Sequence, residues 1–282
     1  MKMRCIFVSD LHGKKHRYNA LFSIIKKEKP DGVFMGGDLL PGGFGITLDV
    51  TQFIQNELLS KISKIKKEGI TTEFFVILGN DDPKIYEDQL ITAEQEGLLH
   101  YVNNKTTQFK ELFVSGYSYI PPSPFSLKDW ERYDVSRYVD PGSLSPEEGL
   151  RTVEIDIQHE RYRTIAEDLK QLQTQSPPQK TIYLFHTPPH NTNLDRADLD
   201  GKKIDHVALD VHIGSIAVKR FITEKKPLLT LHGHVHESPR LTGIWHETIG
   251  PTHLYSAAHD GSELAVITFD TDKLENATRI LL

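Results

Sequence analysis

Five short polar segments, scattered over more than two hundred positions, constrain this chain more than any bulk property. They read Asp10-Leu11-His12, Gly37-Asp38, Gly79-Asn80-Asp81-Asp82, His186 and Gly233-His234-Val235-His236. Most follow a run of apolar, β-prone residues, at 5–8, 32–35, 73–78, 181–185 and 228–231. A polar residue just past such a run lies at the carboxyl end of a strand, where open α/β sheets bind ligands. The fold must therefore carry several strand ends to one place.

Helical spacing fills the intervals. Residues 16–29 carry Leu21, Phe22, Ile24 and Ile25 on one side and stop at Pro30. Further helices are expected at 49–68, 83–96, 159–173 and 215–225, with short strands near 98–102 and 112–116 and a run of consecutive strands after the last motif. The β-α-β-α-β order at the start predicts an α/β fold with parallel pairing. Residues 40–45 read as a Gly/Pro loop, and 191–212 as another loop. The basic stretch 61–67 is either an anion patch or a solvated face with cations near a helix C-terminus, and the second is favoured.

Residues 118–149 are different. Five prolines alternate with Phe125, Trp130, Tyr133 and Tyr138. Segments this long without regular structure are often lids or binding loops, so this one is expected to be a flap inserted into a single domain spanning 1–282. The alternative is a wrap that buries its own aromatics. Lys128, Arg132 and Arg137 within it could meet a distal phosphate, although a solvated loop is the simpler expectation.

Composition narrows the function classes. A hydrophobic fraction of 38% and a charged fraction of 26% suit an ordinary globular enzyme. Net charge is -6 and the pI about 6.2, which argues against a nucleic-acid polymer or an anionic membrane as partner. No window approaches a membrane span, and the chain runs straight into its first strand with no room for a signal peptide. The single cysteine, Cys5, excludes an internal disulfide framework. A cytoplasmic location is expected.

The chemistry these residues suit is phosphoester hydrolysis. That reaction needs hydroxide near neutral pH and neutralised phosphoryl oxygens. Two metal ions about 3.5–4 Å apart provide both. Such a pair needs several His, Asp and Asn donors and one bridging carboxylate. Asp10 and His12 at i, i+2 can point to the same side. Asp38 follows two glycines, as close backbone approach requires. Asn80 offers a neutral oxygen. His234 and His236 repeat the i, i+2 spacing, and Thr187-Pro188-Pro189 fixes the chain after His186. Each signal is weak alone; their order, each after a strand, is not.

In that order the chain resembles the calcineurin-like metallophosphoesterase superfamily, and within it the smaller prokaryotic phosphodiesterase-like members. The resemblance implies a four-layer α/β/β/α sandwich of two mixed sheets flanked by helices. It implies that Asp10, His12 and His236 hold a first metal, that Asp38 bridges, and that Asn80, His186 and His234 hold the second. It also implies attack on phosphorus by a hydroxide that bridges the two ions. The implied cofactor is a pair of divalent ions: manganese first, with iron, zinc, nickel or cobalt also suited to these donors. The expected substrate is a small phosphodiester, nucleotide-like among others, and a homodimer is the expected assembly.

Asp81 departs from the family pattern, which has a histidine there that contacts phosphate and protonates the leaving oxygen. Asp82 matches the acidic residue that orients that histidine. Beside two cations a carboxylate should stay ionised, a poor proton donor. Three alternatives follow. His190, His212 or His259, in that order, supplies the proton. Asp81 itself serves as a ligand or base. Or catalysis is lost and a scaffold remains. Catalytic candidates are therefore Asp81, Asn80 and His190. Competing functions are a non-catalytic interaction scaffold, a phosphomonoesterase and a nuclease. His232 is expected to end a strand in the core.

Overall fold

The computed structural model describes residues 2–42 and 49–282. The loop expected at 40–45 falls partly outside them. In chain order the strands are β1 (Arg4–Val8), β2 (Gly32–Gly36), β3 (Glu73–Ile77), β4 (His100–Tyr101), β5 (Thr106–Phe109), β6 (Leu112–Tyr117), β7 (Thr181–Phe185), β8 (Lys203–Ile204), β9 (Val207–Ala208), β10 (Leu229–His232), β11 (His246–Ile249), β12 (Thr252–Ser256), β13 (Ala265–Asp270) and β14 (Lys273–Leu281). One six-stranded sheet has the order β14-β13-β1-β2-β3-β4, a second β11-β12-β10-β7-β6-β5, and β8-β9 form a small hairpin.

Both large sheets are mixed. The pairs β1–β2, β2–β3 and β3–β4 are parallel, as are β6–β7, β7–β10 and β10–β12. Antiparallel strands lie at one edge of the first sheet, β13 and then β14, and at both edges of the second, β5 and β11.

Period-two alternation decides which side of each strand meets what. In β1, Cys5 and Phe7 join Phe34, Phe75, Ile182, Leu184, Leu229 and Leu231 in a core drawn from both sheets. Their neighbours Ile6 and Val8 instead pack with Leu21, Phe22 and Ile25 of helix Lys15–Glu28. On the second sheet Tyr183 and Phe185 meet Phe221 of helix Ile216–Lys225. The result is two mixed sheets between layers of helix, the predicted four-layer sandwich.

Several local expectations change. The helix expected at 159–173 is two pieces, Ile157–Glu160 and Ile165–Leu172. Thr164 starts the second by accepting the Glu167 N–H (3.2 Å), an N-cap that a continuous helix would forbid. The helix expected at 49–68 contains a π-helical segment, Ile54–Leu59. The strand expected at 98–102 is ordered as β-structure only at His100–Tyr101. Edge strand β5, the β8–β9 hairpin and the short helix Ser238–Thr242 were not anticipated. Lys61 pairs with Glu57 (2.9 Å) and the Lys66 ammonium donates to the Gly97 carbonyl (2.7 Å), so these two are engaged within the fold.

The segment 118–149 divides into wrap and wall. Trp130 is fully buried and its indole N–H donates to the Asp82 carbonyl (2.8 Å). Lys128 is buried against Glu131 (2.6 Å), and Arg132 lies between Glu160 and Asp168. Arg137 pairs with Glu147 (3.3 Å). The solvated loop expected for these cations holds for the half-exposed Arg137 alone; Lys128 and Arg132 are buried, and each of the three has a carboxylate partner. Phe125 and Tyr138, by contrast, stay exposed.

Candidate metal centre

The carboxyl ends of β1, β2 and β3 from one sheet and of β7 and β10 from the other converge. Two groups of side chains result, in each of which the donor atoms lie within 4.8 Å of one another. Asp10, His12, Asp38 and His236 form one; Asp38, His186 and His234 form the other. Asp38 is common to both. Asn80 joins the second through its Oδ1, 3.0 Å from His186 Nε2. All seven residues expected as ligands are thus brought together.

The backbone bends sharply to achieve this. Asp10, His12, Asp38 and His234 have φ of 56°, 46°, 51° and 71°. Non-glycine residues seldom occupy that left-handed region, and clustering there marks sites where geometry is imposed. A close approach is needed as well. A methyl group on Gly79 would fall on the Asp38 carboxylate and the His186 ring.

Protein groups hold each donor in place. The Asp10 carboxylate accepts the Ser9 hydroxyl and the His234 N–H (3.0 Å) and meets His236 Nε2 at 3.2 Å. The buried Arg17 guanidinium donates to the Asp10 carbonyl and to that of Gly261 (2.6 Å). His186 donates its Nδ1–H to the Gly36 carbonyl (2.7 Å), which turns Nε2 toward Asp38 Oδ2 at 3.3 Å. Such outer partners fix the orientation of a ligating imidazole. Ser9, Arg17 and Gly36 were missed from the sequence. Ser9 adjoins a candidate ligand and Gly36 is one of the two glycines before Asp38, but nothing marks Arg17.

Electrostatics fit a cation pair. Burial alone would raise Asp38, yet the charge of His186 holds it down at about 2. Burial would lower His186, but Asp38 raises it to about 10. Asp10 and His236 are bound in the same way, acid held low and base held high. These imidazolium–carboxylate pairs lie where divalent ions would displace protons. His234 is pushed down to about 3 by burial and by His186, and its ring makes no hydrogen bond among the described residues. A neutral imidazole without a protein partner, beside a shared carboxylate, fits a metal.

Asp81 lies at the rim. Its N–H donates to Asp38 Oδ1 (2.8 Å), its Oδ1 accepts the Asn80 amide (2.9 Å), and its Oδ2 lies 3.5 Å from His12 Nδ1. Burial and the Asp38 charge push it up to about 6; divalent cations would act the other way. Among the described residues the Asp82 carboxylate accepts from backbone N–H groups and not from a side chain. It accepts the N–H groups of Leu39 (3.1 Å), Leu40 (2.7 Å) and Gly79 (2.8 Å), tying together the two loops that carry Asp38 and Asn80.

The other histidines separate cleanly. His190 belongs to neither donor group; it meets Asp210 (3.3 Å) and, with His212, lines a cavity of about 550 Å³ whose wall includes His234. His259 pairs with Glu263 (3.2 Å) and is not in that wall. His232 is buried between the Thr187 carbonyl and Thr230, as expected. A groove of about 750 Å³ along Gln158, Tyr162 and Arg163 contains no candidate ligand.

The calcineurin-like phosphoesterase family model matches residues 3–238. The chain belongs to that family. The match runs from the first strand through every ligand candidate. Family members typically bind a dinuclear divalent metal centre, and the two donor groups sharing Asp38 are arranged for one. No curated protein matches the chain. Similar solved structures include TT1561 of Thermus thermophilus, at 16% identity and TM-score 0.58, covering 100% of this chain and 99% of that one. A dimetal phosphatase from Danio rerio is similar at 10% identity and TM-score 0.54, covering 95% of each chain. At such identities the likeness to these family structures is one of fold. Among the described residues no helix is long and apolar enough to cross a membrane.

Proposed function

We propose that this chain is a dinuclear metal-dependent phosphoesterase acting on small phosphodiesters. The observation that carries the proposal is Asp38, a buried carboxylate within ligand distance in both donor groups. Bound divalent ions would supply Lewis acidity and lower the pKa of water from about 15.7 toward roughly 7. Asp10, His12 and His236 would hold one ion and Asn80, His186 and His234 the other, with Asp38 between. Manganese is the first choice among metals that accept such donors.

The remaining work falls to residues at the rim. Asn80 keeps its amide oxygen at the ligands because Asp81 holds its NH₂. His190 and His212 stand in the cavity wall, each backed by a carboxylate: Asp210 at 3.3 Å and Asp195 at 2.8 Å. In this reading they would hold a proton for a departing alcohol, His190 first, because they share the cavity wall with His234. Asp81 favours diesters on charge. A monoester brings up to two negative charges toward that carboxylate, a diester one. Small esters in the cytoplasm, rather than nucleic-acid strands, suit a chain of net charge -6 with one buried thiol.

The test is to strip the protein, reload it with manganese, and compare bis-p-nitrophenyl phosphate with p-nitrophenyl phosphate. The diester should turn over faster, and Asp38→Asn should abolish both activities. A protein that takes up two metals yet cleaves neither ester would be a scaffold or a very selective enzyme.

A further inference from the structure

The cavity beside His234 has an unusual lining. One wall comes from the 118–149 segment, with Phe125, Val135 and Tyr138; the other comes from residues 199–213, with Leu199, Ile204 and Leu209. The two walls touch, because a methyl group on Gly142 would strike the Ile204 side chain. Its ionisable groups are three histidines and four carboxylates: Asp134, Asp140, Asp210 and Glu237. No Lys or Arg lines it among the described residues. The nearby basic residues of the segment, Lys128, Arg132 and Arg137, are each taken by a carboxylate.

Sites that accept a second phosphate or carboxylate supply a guanidinium, an ammonium or a cluster of free N–H groups for it. This cavity supplies no guanidinium or ammonium: His190 and His212 already face Asp210 and Asp195, and the rest of its lining is mainly acids, serines and apolar surface. We infer that it receives the organic group of the ester, and that the substrate class is phosphodiesters whose organic group is apolar and bears no further negative charge. Nucleotide polyphosphates are excluded by the same chemistry. The inference rests on the phosphoesterase reading and narrows it.

The arrangement gives this selectivity a direction. One ester substituent would extend from the Asp38 donor cluster past His234, which lines both, into the cavity, where burying a phenyl ring in place of a methyl group would favour binding. A carboxylate on that ring would enter a region already holding Asp140 and Asp210, whose His190 and His212 already face carboxylates, and would lose water without gaining a guanidinium or ammonium.

The experiment compares methyl, phenyl and 4-carboxyphenyl p-nitrophenyl phosphates with the manganese-loaded protein. The phenyl ester should exceed both others in kcat/KM by about tenfold or more. Ile204→Lys, at a position 39% exposed and so tolerant of lysine, should lower phenyl-ester turnover and raise that of the carboxyphenyl ester. Tyr138→Ala, also at an exposed position, should lower only the phenyl-ester value. A second readout is binding of a fluorescent naphthylmethyl phosphonate against ADP. The phosphonate should bind wild type at least about tenfold more tightly than it binds Ile204→Lys. Equal kcat/KM across the three esters, or tighter binding of ADP by wild type, would overturn the inference. If no ester is cleaved but phosphonate binding still depends on Ile204, the cavity assignment stands and the hydrolase reading fails.

Discussion

Asp81 Oδ2 lies 3.5 Å from Nδ1 of His12, while Nε2 of the same ring faces His236 Nε2 at 3.1 Å. One nitrogen of His12 is thus directed at the metal centre and the other at a carboxylate, the arrangement by which outer-shell acids orient a ligating imidazole. The residue that departs from the family pattern therefore has a positioning role within reach. Asp81→Ala should weaken metal binding about 10–100-fold, read by competition with a chromogenic chelator. Asp81→His should leave the metal content at two and raise turnover of esters with poor leaving groups. Unchanged metal affinity in the alanine variant would remove the positioning role.

Asp82 predicts a stability effect rather than a chemical one. Its carboxylate accepts three buried N–H groups, and burial with the Asp38 charge pushes it up to about 8 against the lowering by those N–H groups. Asp82→Ala would orphan all three, at about 1–3 kcal/mol each before relaxation. A loss of roughly 3 kcal/mol or more should appear in urea unfolding of the metal-free protein, where metal affinity cannot contribute.

Metal removal should destabilise the fold. Ions that bind the native state at about a thousandfold above Kd contribute about 4 kcal/mol, and each kcal/mol moves Tm by roughly 2–4 °C in a chain approaching this size. Chelation should lower Tm by roughly 8–16 °C, measured by calorimetry. Asp38→Asn, lacking the shared carboxylate, should show a much smaller drop.

His246 and His253 lie face to face at 5.3 Å, with Nε2 and Nδ1 3.1 Å apart. Burial lowers both pKa values, and for His246 the charge of His253 adds to it. The unfolded chain therefore binds more protons than the native one between those lowered values and about 6.5. Stability should be fully present above about pH 6.5 and decline as pH falls below it. The double variant His246→Gln/His253→Gln should flatten that decline in urea melts across the range. An unchanged slope would sink the assignment.

What the sequence revealed was mostly short-range. A run of β-prone residues followed by Asp, His or Gly-Asp announces a strand and what it delivers, so the ligand candidates and the parallel order of β1, β2 and β3 were legible. Lys128 and Arg132 were not. They looked like surface cations because their burial depends on partners that only the fold supplies; Arg132 reaches Glu160 and Asp168, 28 and 36 residues away. The break before Thr164 was legible in principle, since Thr164 and Glu167 have capping-box spacing, but the apolar pattern runs through it. The Thr106–Phe109 edge strand is too polar to announce itself, and its pairing with Leu112–Tyr117 comes from the turn between them.

The left-handed turns at Asp10, His12, Asp38 and His234 set a boundary on how this protein can change. Each holds the chain in a conformation that most residues avoid, so the ligands are also the places where the fold works against its own backbone preference. Replacing any of them by glycine would relax the turn and erase the donor in one step. Selection for thermal robustness alone would accordingly erode these four positions early, so the same four donors, drawn from the two groups that share Asp38, are the ones a merely durable shell would lose first.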